Sequence, residues 1–240
     1  LRALVRRGEE TVFEWNIQDC SNTLWSFATF GRVLEEGLLK MIERRIEEIA
    51  DRFWPQDVGN VLWALASNAR QPSERLISAL EVRIRDLSGT PKDVSVQLGD
   101  VPGDTNEFIS QNIANALFMV SYLSTISGDL ACRLAHAIGA RPELGKWPFD
   151  IEGLRQLHVF FISCDLEPAL GADLPPRLLA LREQQGPSCK AAFESHPDRP
   201  SMRQMEVSNT LRKMGYAVVD EFRCPKSSYS IDMLVTGEGD

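Results

Sequence analysis

The chain has 240 residues, 43% of them hydrophobic and 25% charged, values ordinary for a folded soluble protein. Its net charge of −8 is spread along the chain as −2 over residues 1–90, −3 over 91–150 and −3 over 151–240. Affinity for phosphate backbones grows with the number of Lys and Arg contacts, so tight non-specific binding of nucleic acid is disfavoured. No apolar run approaches the 18 residues of a membrane-spanning helix. The first residue is Leu rather than Met, which is compatible with a leader ahead of it, so the absence of a targeting signal is not read from the sequence.

Cys20, Cys132, Cys164, Cys189 and Cys224 are scattered and form no C-x-x-C pair, a pattern that predicts reduced thiols rather than a disulfide framework or a zinc finger. His136, His158 and His196 lie far apart, without metal-ligand spacing.

The first predicted helix carries Ile17, Cys20, Ser21, Leu24 and Ala28 at i, i+3, i+4 and i+7 spacing, one apolar stripe that stops at Gly31. A second amphipathic stretch over 35–53 turns Leu38, Leu39, Ile42, Ile46 and Ile49 inward. After Pro55 the pattern starts again. QDCSNTLWSFATFG at 18–31 returns as QDVGNVLWALASNA at 56–69, and then as QNIANALFMVSYLS at 111–124. The copies align on Gln18, Gln56 and Gln111, on Asn22, Asn60 and Asn115, on Leu24, Leu62 and Leu117, and on Trp25, Trp63 and Phe118.

The second helix repeats as well. Leu76, Ile77, Leu80 and Ile84 follow Leu38, Leu39, Ile42 and Ile46 by 38 positions, after Pro72. The next interval, 55, exceeds 38 by the length of the Gly-, Pro- and Asp-rich segment 88–104, read as a loop inserted between repeats. A fourth, worn copy is expected near 150, with IEGLRQLHVFFISCDL followed by PPRLLALREQQ, which Pro175 and Pro176 open.

A helical hairpin of this size cannot bury both faces alone but can when stacked on a neighbour. The expectation is mainly α: an α-solenoid of about four stacked hairpins over 1–186, with starts near 18, 56, 111 and 150. The aromatic, Leu and small residues (Ser21, Gly59, Ala114) are expected to let adjacent helices interlock. Residues 187–200 read as a linker.

From Ser201 the pattern changes. A helix with Met205, Leu211 and Met214 should stop at Gly215. Two strand-like runs, YAVVDEF and SYSIDMLV, follow around the turn residues Pro225, Lys226 and Ser227.

The motif Q-x-x-x-N-x-L-W-A-x-A at a 38-residue period resembles the octotricopeptide family and related helical repeats of organellar RNA-associated proteins. The resemblance covers roughly 13–186. The tail, through Q-x-E-V-S-x-x-L-x-x-x-G-Y, the Glu221 region and S-I-D-M-L-V, resembles the opening of a RAP domain, so 201–240 is expected to be the first part of a restriction-endonuclease-like α/β module. On that resemblance Asp232 matches a position that holds a metal in nucleases. Such chemistry needs further carboxylates in place, and none has recognisable spacing here. The expectation is a protein that is not an enzyme and has no cofactor. The resemblance implies an RNA partner in a mitochondrion, with a plastid as the alternative. It further implies a place as a ribosomal subunit clamping rRNA beside other protein subunits, away from any membrane. A protein-interaction scaffold without RNA contact is the rival.

Candidate contact residues follow from the repeat. Asp19, Thr23 and Ser26, with their equivalents Asp57, Val61 and Ala64 and then Asn112, Ala116 and Met119, are expected on the side of the first helix not used for packing, where bases could be read. Gln18 and Asn22, Gln56 and Asn60, and Gln111 and Asn115 form i, i+4 amide pairs. They could bond bases, but such repeated groups more often satisfy backbone groups between repeats. Arg44, Arg45, Arg83 and Arg85 could form a phosphate strip, or equally a solvated face paired with Glu43, Glu47, Glu48 and Glu81. Trp15, Trp54 and Trp147 fall outside the repeat frame, as base stackers or as core fillers.

Overall fold

A computed structural model describes residues 2–68, 71–87, 110–142, 144–146, 148–195 and 200–238. The expected inserted loop 88–104, Trp147 and His196 lie outside these residues. The chain divides into two compact units, 1–186 and 187–240. Mainly helical structure and a small two-stranded antiparallel sheet near the C-terminus make up the described residues.

The first-type helices are α2 (Ile17–Thr29), α4 (Pro55–Ser67), α6 (Ser110–Ser124) and α8 (Ile151–Leu166). Their starts are written in local chemistry. Asn16 accepts from the Asp19 amide while Asp19 accepts from the Asn16 amide, a capping box that satisfies two donors at once. Pro55 stands at the first turn of α4, where its missing N–H costs nothing. Asp150 caps α8 through the Gly153 amide at 2.7 Å. Gly31, at φ +58°, takes the left-handed turn just past the end of α2.

The second-type helices are α3 (Glu36–Ile49), α5 (Glu74–Asp86) and α7 (Gly128–Gly139), and ahead of them comes α1 (Arg2–Thr11). Packing runs in two rows: α2 on α4, α4 on α6 and α6 on α8, and beside them α1 on α3, α3 on α5 and α5 on α7.

The place of α1 was not foreseen. It lies where a second-type helix belongs, and a short 3-10 turn, Val12–Glu14, follows it as Ala50–Arg52 follows α3. At the 38-residue interval Arg6, Arg7, Glu9 and Glu10 coincide with Arg44, Arg45, Glu47 and Glu48.

The core of this unit is where the stripes meet. Leu24, Leu62 and Leu117 are fully buried, as are Cys20, Val58 and Ile113 one turn earlier and Ile42, Ile46, Leu76, Leu80 and Ile84 in the second row. Burying each large aliphatic side chain contributes roughly 1.5–3 kcal/mol. Between first-type helices the contact is set by small residues. Ser21 Oγ donates to Asp57 Oδ1 at 3.1 Å. A Cβ on Gly59 would lie 3.0 Å from the Asn112 Cα, and one on Gly153 would lie 3.5 Å from the Ala114 Cβ. In each pair the small position of one copy seats the third helical residue of the next. This fixes the register of the fourth copy: Gly153 matches Asn112, and Gln156 takes the Asn115 place. The copy is worn as expected, with Glu152 at the Gln place and a glutamine at the Asn place, and its interval is 41 residues rather than 38 or 55.

The short helix α9 (Pro168–Ala172) packs on α7 and α8. The next helix, α10 (Pro176–Glu194), runs on through Gly186 and Pro187, so the expected linker is helical over 187–194. Proline removes one backbone bond and costs helix stability. Here Cys189 and Ala192 are buried beyond it, and Phe193 packs edge-on against Tyr229 with ring centroids 5.0 Å apart.

The tail has the helix and two strands expected of it. The helix α11 (Met202–Lys213), opened by a Ser201/Gln204 capping box, gives way at Gly215 (φ +93°) to β1 (Tyr216–Arg223), which pairs antiparallel with β2 (Ser230–Glu238). The register sets Val218 opposite Val235 and Phe222 opposite Ile231.

Candidate nucleic-acid interface

The stacking leaves one face of the first-type row accessible. On α2 it reads Gln18, Asn22, Trp25 and Thr29, on α4 Gln56, Asn60, Trp63 and Ser67, and on α6 Gln111, Asn115, Phe118 and Tyr122. Spacings of four, three and four residues keep each set on one helical face. Trp25 is 45% exposed, and Trp63 and Phe118 are half-buried, while the leucines beside them are sealed. The expectation that these aromatics interlock helices is corrected for α2, where Trp25 stands at the surface; in each copy the leucine fills the core, and in α4 and α6 the ring beside it is half-buried. The signal was present in the spacing, since Trp25 lies three residues from Asn22 and seven from Gln18.

The amides change character along the row. Gln18, Asn22 and Gln56 are exposed and Asn60 is half-buried. In α6 the Gln111 Nε2 donates to Asn115 Oδ1 at 2.8 Å and to Gln156 Oε1 at 3.4 Å, which joins the third copy to the fourth. Asn115 is accordingly buried. There the structural role of the amide pair prevails, through side-chain partners rather than backbone groups.

The row expected to read bases is not free. Asp57 is 8% and Asn112 4% exposed, and Val61, Ala64, Ala116 and Met119 are sealed. They form the seam on which the preceding first-type helix sits, because the small position of one helix faces the 19/57/112 position of the next. Only in α2 do Asp19, Thr23 and Ser26 line an open groove, together with Trp15 and Phe27.

The arginines resolve into two kinds. Arg45 Nε donates to the Trp15 carbonyl at 2.9 Å, and Arg83 Nε donates to the Phe53 carbonyl at 2.7 Å. Each clasps the carbonyl just past the preceding second-type helix and its 3-10 turn, where acceptors lack intrahelical partners. Burial lowers the Arg83 pKa. These two are corrected from phosphate ligands to connectors between repeats. Arg85 pairs with Glu81 at 3.1 Å, and Arg45 also reaches Glu48 at 3.0 Å, so the reading of a face balanced by glutamates holds for both. Arg44 is exposed. Among the described residues these four arginines form no continuous cationic strip.

Comparison with family models, curated proteins and solved structures found no match.

Trp15 is half-buried, its indole donating to Thr11 Oγ1 at 3.2 Å, and Trp54 is 41% exposed just ahead of α4. In the tail Asp232 is exposed, and its main-chain carbonyl accepts from Gln204 Nε2 at 3.1 Å. Ser208 and Arg212 both donate to the Asp220 carboxylate and hold its pKa below the usual value. Among the described residues no group of three or more His, Cys, Asp and Glu side chains is placed to hold a metal ion.

The accessible face thus offers amide donors and acceptors beside exposed ring faces, with little free positive charge. Such a surface suits unstacked bases, which stack on aromatics and hydrogen-bond along their edges. It is poorly suited to clamping a duplex backbone.

Proposed function

We propose that residues 2–186 form an α-solenoid whose first-type face binds single-stranded or irregular RNA, without catalysing a reaction. The amide-and-aromatic ladder Gln18–Asn22–Trp25 and Gln56–Asn60–Trp63, continued in α6 by Phe118, carries this reading. The resemblance to organellar helical-repeat proteins supports a site of action in a mitochondrion, or a plastid, and a role as an rRNA-holding subunit among other proteins. The tail's helix–strand–strand order agrees with its reading as the opening part of a RAP module.

The test is fluorescence anisotropy of short single-stranded RNA with the full chain at low and physiological salt. A stacked base is worth about 1–3 kcal/mol, so Trp25→Ala or Trp63→Ala should weaken binding by roughly 5- to 150-fold. Few phosphates are neutralised, so the salt dependence should be shallow. No binding at low salt, or binding indifferent to both substitutions, overturns the proposal.

One observation favours a second reading, a scaffold for peptides or protein subunits: Arg45 and Arg83 are spent inside the fold and Arg85 is balanced by a carboxylate. That reading predicts that the same tryptophan substitutions abolish association with protein subunits while RNA affinity is negligible throughout.

A further inference from the structure

The open groove on α2 has covered counterparts elsewhere in the same molecule. On α4 the equivalent surface of Asp57, Val61 and Ala64 lies under α2, and on α6 that of Asn112, Ala116 and Met119 lies under α4. The same chemistry recurs at the open one. Asp57 accepts from its own N-cap amide with Oδ2 (3.2 Å) and from Ser21 of the preceding helix with Oδ1. Asp19 accepts from the Asn16 amide with Oδ2 (2.9 Å), while its Oδ1, the counterpart of the oxygen that Ser21 reaches, has no hydrogen-bond partner among the described residues.

A second observation is independent of the groove. By packing, by the 3-10 turn that follows it and by the Arg6-Arg7-x-Glu9-Glu10 match, α1 is a second-type helix. In every other hairpin a second-type helix lies beside a first-type helix, and that first-type helix covers the groove of the next.

We infer that the α2 groove is the docking surface for one further α-helix of the first type, with a small hydroxyl-bearing or hydrogen side chain seated on Asp19 and its apolar stripe closing over Thr23 and Ser26. The face continues the α2–α4 and α4–α6 seams. At the covered α4–α6 seam the two helix backbones come to close approach, with an added Cβ on Gly59 standing 3.0 Å from the Asn112 Cα. The groove shares Gln18 and Asn22 with the face proposed for RNA, while Trp25 lies outside it, so the two readings are told apart by what protects residue 23.

The experiment places a cysteine reporter in the groove with Thr23→Cys and follows its alkylation by peptide mass spectrometry. A second copy of residues 16–38 is joined directly ahead of Leu1, which reproduces the 38-residue interval between the first and second hairpins. Helicity should rise, and alkylation of residue 23 should slow by at least about tenfold, as expected of a site that opens only through local unfolding. Ser21→Leu in the added copy alone should restore fast alkylation. If the added segment does not fold, a helix-stapled peptide of residues 16–30 supplied in trans should slow the reaction saturably. Unchanged alkylation with both the joined copy and the peptide overturns the inference. So does protection in the unaltered chain that grows with its own concentration, which would assign the groove to a second copy, or protection by single-stranded RNA.

Discussion

Arg83 Nε donates to the Phe53 carbonyl across 30 residues of sequence, and Arg45 makes the same bond to Trp15 across the same interval. Each guanidinium ties a helix of one repeat to the C-terminal end of the preceding second-type helix, where cations and donors are favoured by the helix dipole. Arg83→Ala removes a charge-assisted bond worth about 1.5–3 kcal/mol and leaves the Phe53 carbonyl without that donor. Thermal unfolding should shift down by roughly 3–10 °C. Arg44→Ala, on an exposed neighbour, should leave the melting temperature within about 1 °C, because surface substitutions of this kind cost little. RNA affinity should stay within about twofold for Arg83→Ala, which distinguishes a connector from a phosphate ligand.

Gly59 makes the seam between α4 and α6 possible. In an open helix Gly→Ala gains about 1 kcal/mol through backbone entropy. Here the new methyl would press on the Asn112 Cα, part of a packed helix that cannot rotate away. Overpacking of that kind costs about 1–3 kcal/mol, so Gly59→Ala should lower stability despite its helix propensity. Chemical denaturation followed by circular dichroism reads the sign directly. A stabilised variant would mean that the two helices separate easily.

Glu43 and Glu81 occupy the same place in successive repeats and are both buried. Glu81 receives Arg85 at 3.1 Å and Arg133 at 2.7 Å. Among the described residues Glu43 has no such pair of cations: burial, and then the nearby Glu47 charge, raise its pKa from 4.5 to about 7. The folded state therefore holds the proton more tightly than the unfolded chain. The stability this supplies is complete below about pH 4.5 and is lost as pH rises to about 7. Glu43→Gln should flatten that slope and raise the melting temperature at pH 8, with little change at pH 4.5. A pH series of thermal melts on both proteins checks it.

The thiols should react in a fixed order. Burial pushes Cys20 and Cys164 up to about 12 and Cys189 up to about 11. Cys224 is lowered, first by the hydrogen bond from the Ser227 side chain and then by backbone donors at Ser227 and Lys226. Thiolate is the reacting species, so alkylation at neutral pH should modify Cys224 first and leave the three buried cysteines until the fold opens. Mass-resolved labelling in which Cys20 or Cys164 keeps pace with Cys224 would contradict the packing described for them.

Much of the helical layout was legible because a helix must repeat its apolar positions every three to four residues, and a hairpin that cannot bury both faces must repeat itself. The intervals of Leu24, Leu62 and Leu117 therefore announced the repeats, Gly31 and Pro55 their punctuation, and Gly215 the end of the last helix. Less visible was α1, whose apolar stripe is short and whose kinship rests on charged residues that any exposed helix might carry. The helix through Pro187 was hidden for a different reason: local propensity argues against it, and burial of Cys189 and Ala192 outweighs that argument.

The candidate surface divides in the same way. The sequence alone determined which positions recur, and so that Gln, Asn, Leu and an aromatic have fixed places on each first-type helix. Which side of that helix faces its neighbour is not a property of one helix, since every periodic stripe has two flanks. Only the tertiary structure decided that Asp57 and Asn112 lie in the seam, that Trp25 and Trp63 stand outside it, and that Arg45 and Arg83 turn inward to backbone carbonyls. Contacts between residues 30 to 55 positions apart made those choices, and no local rule of sequence encodes them.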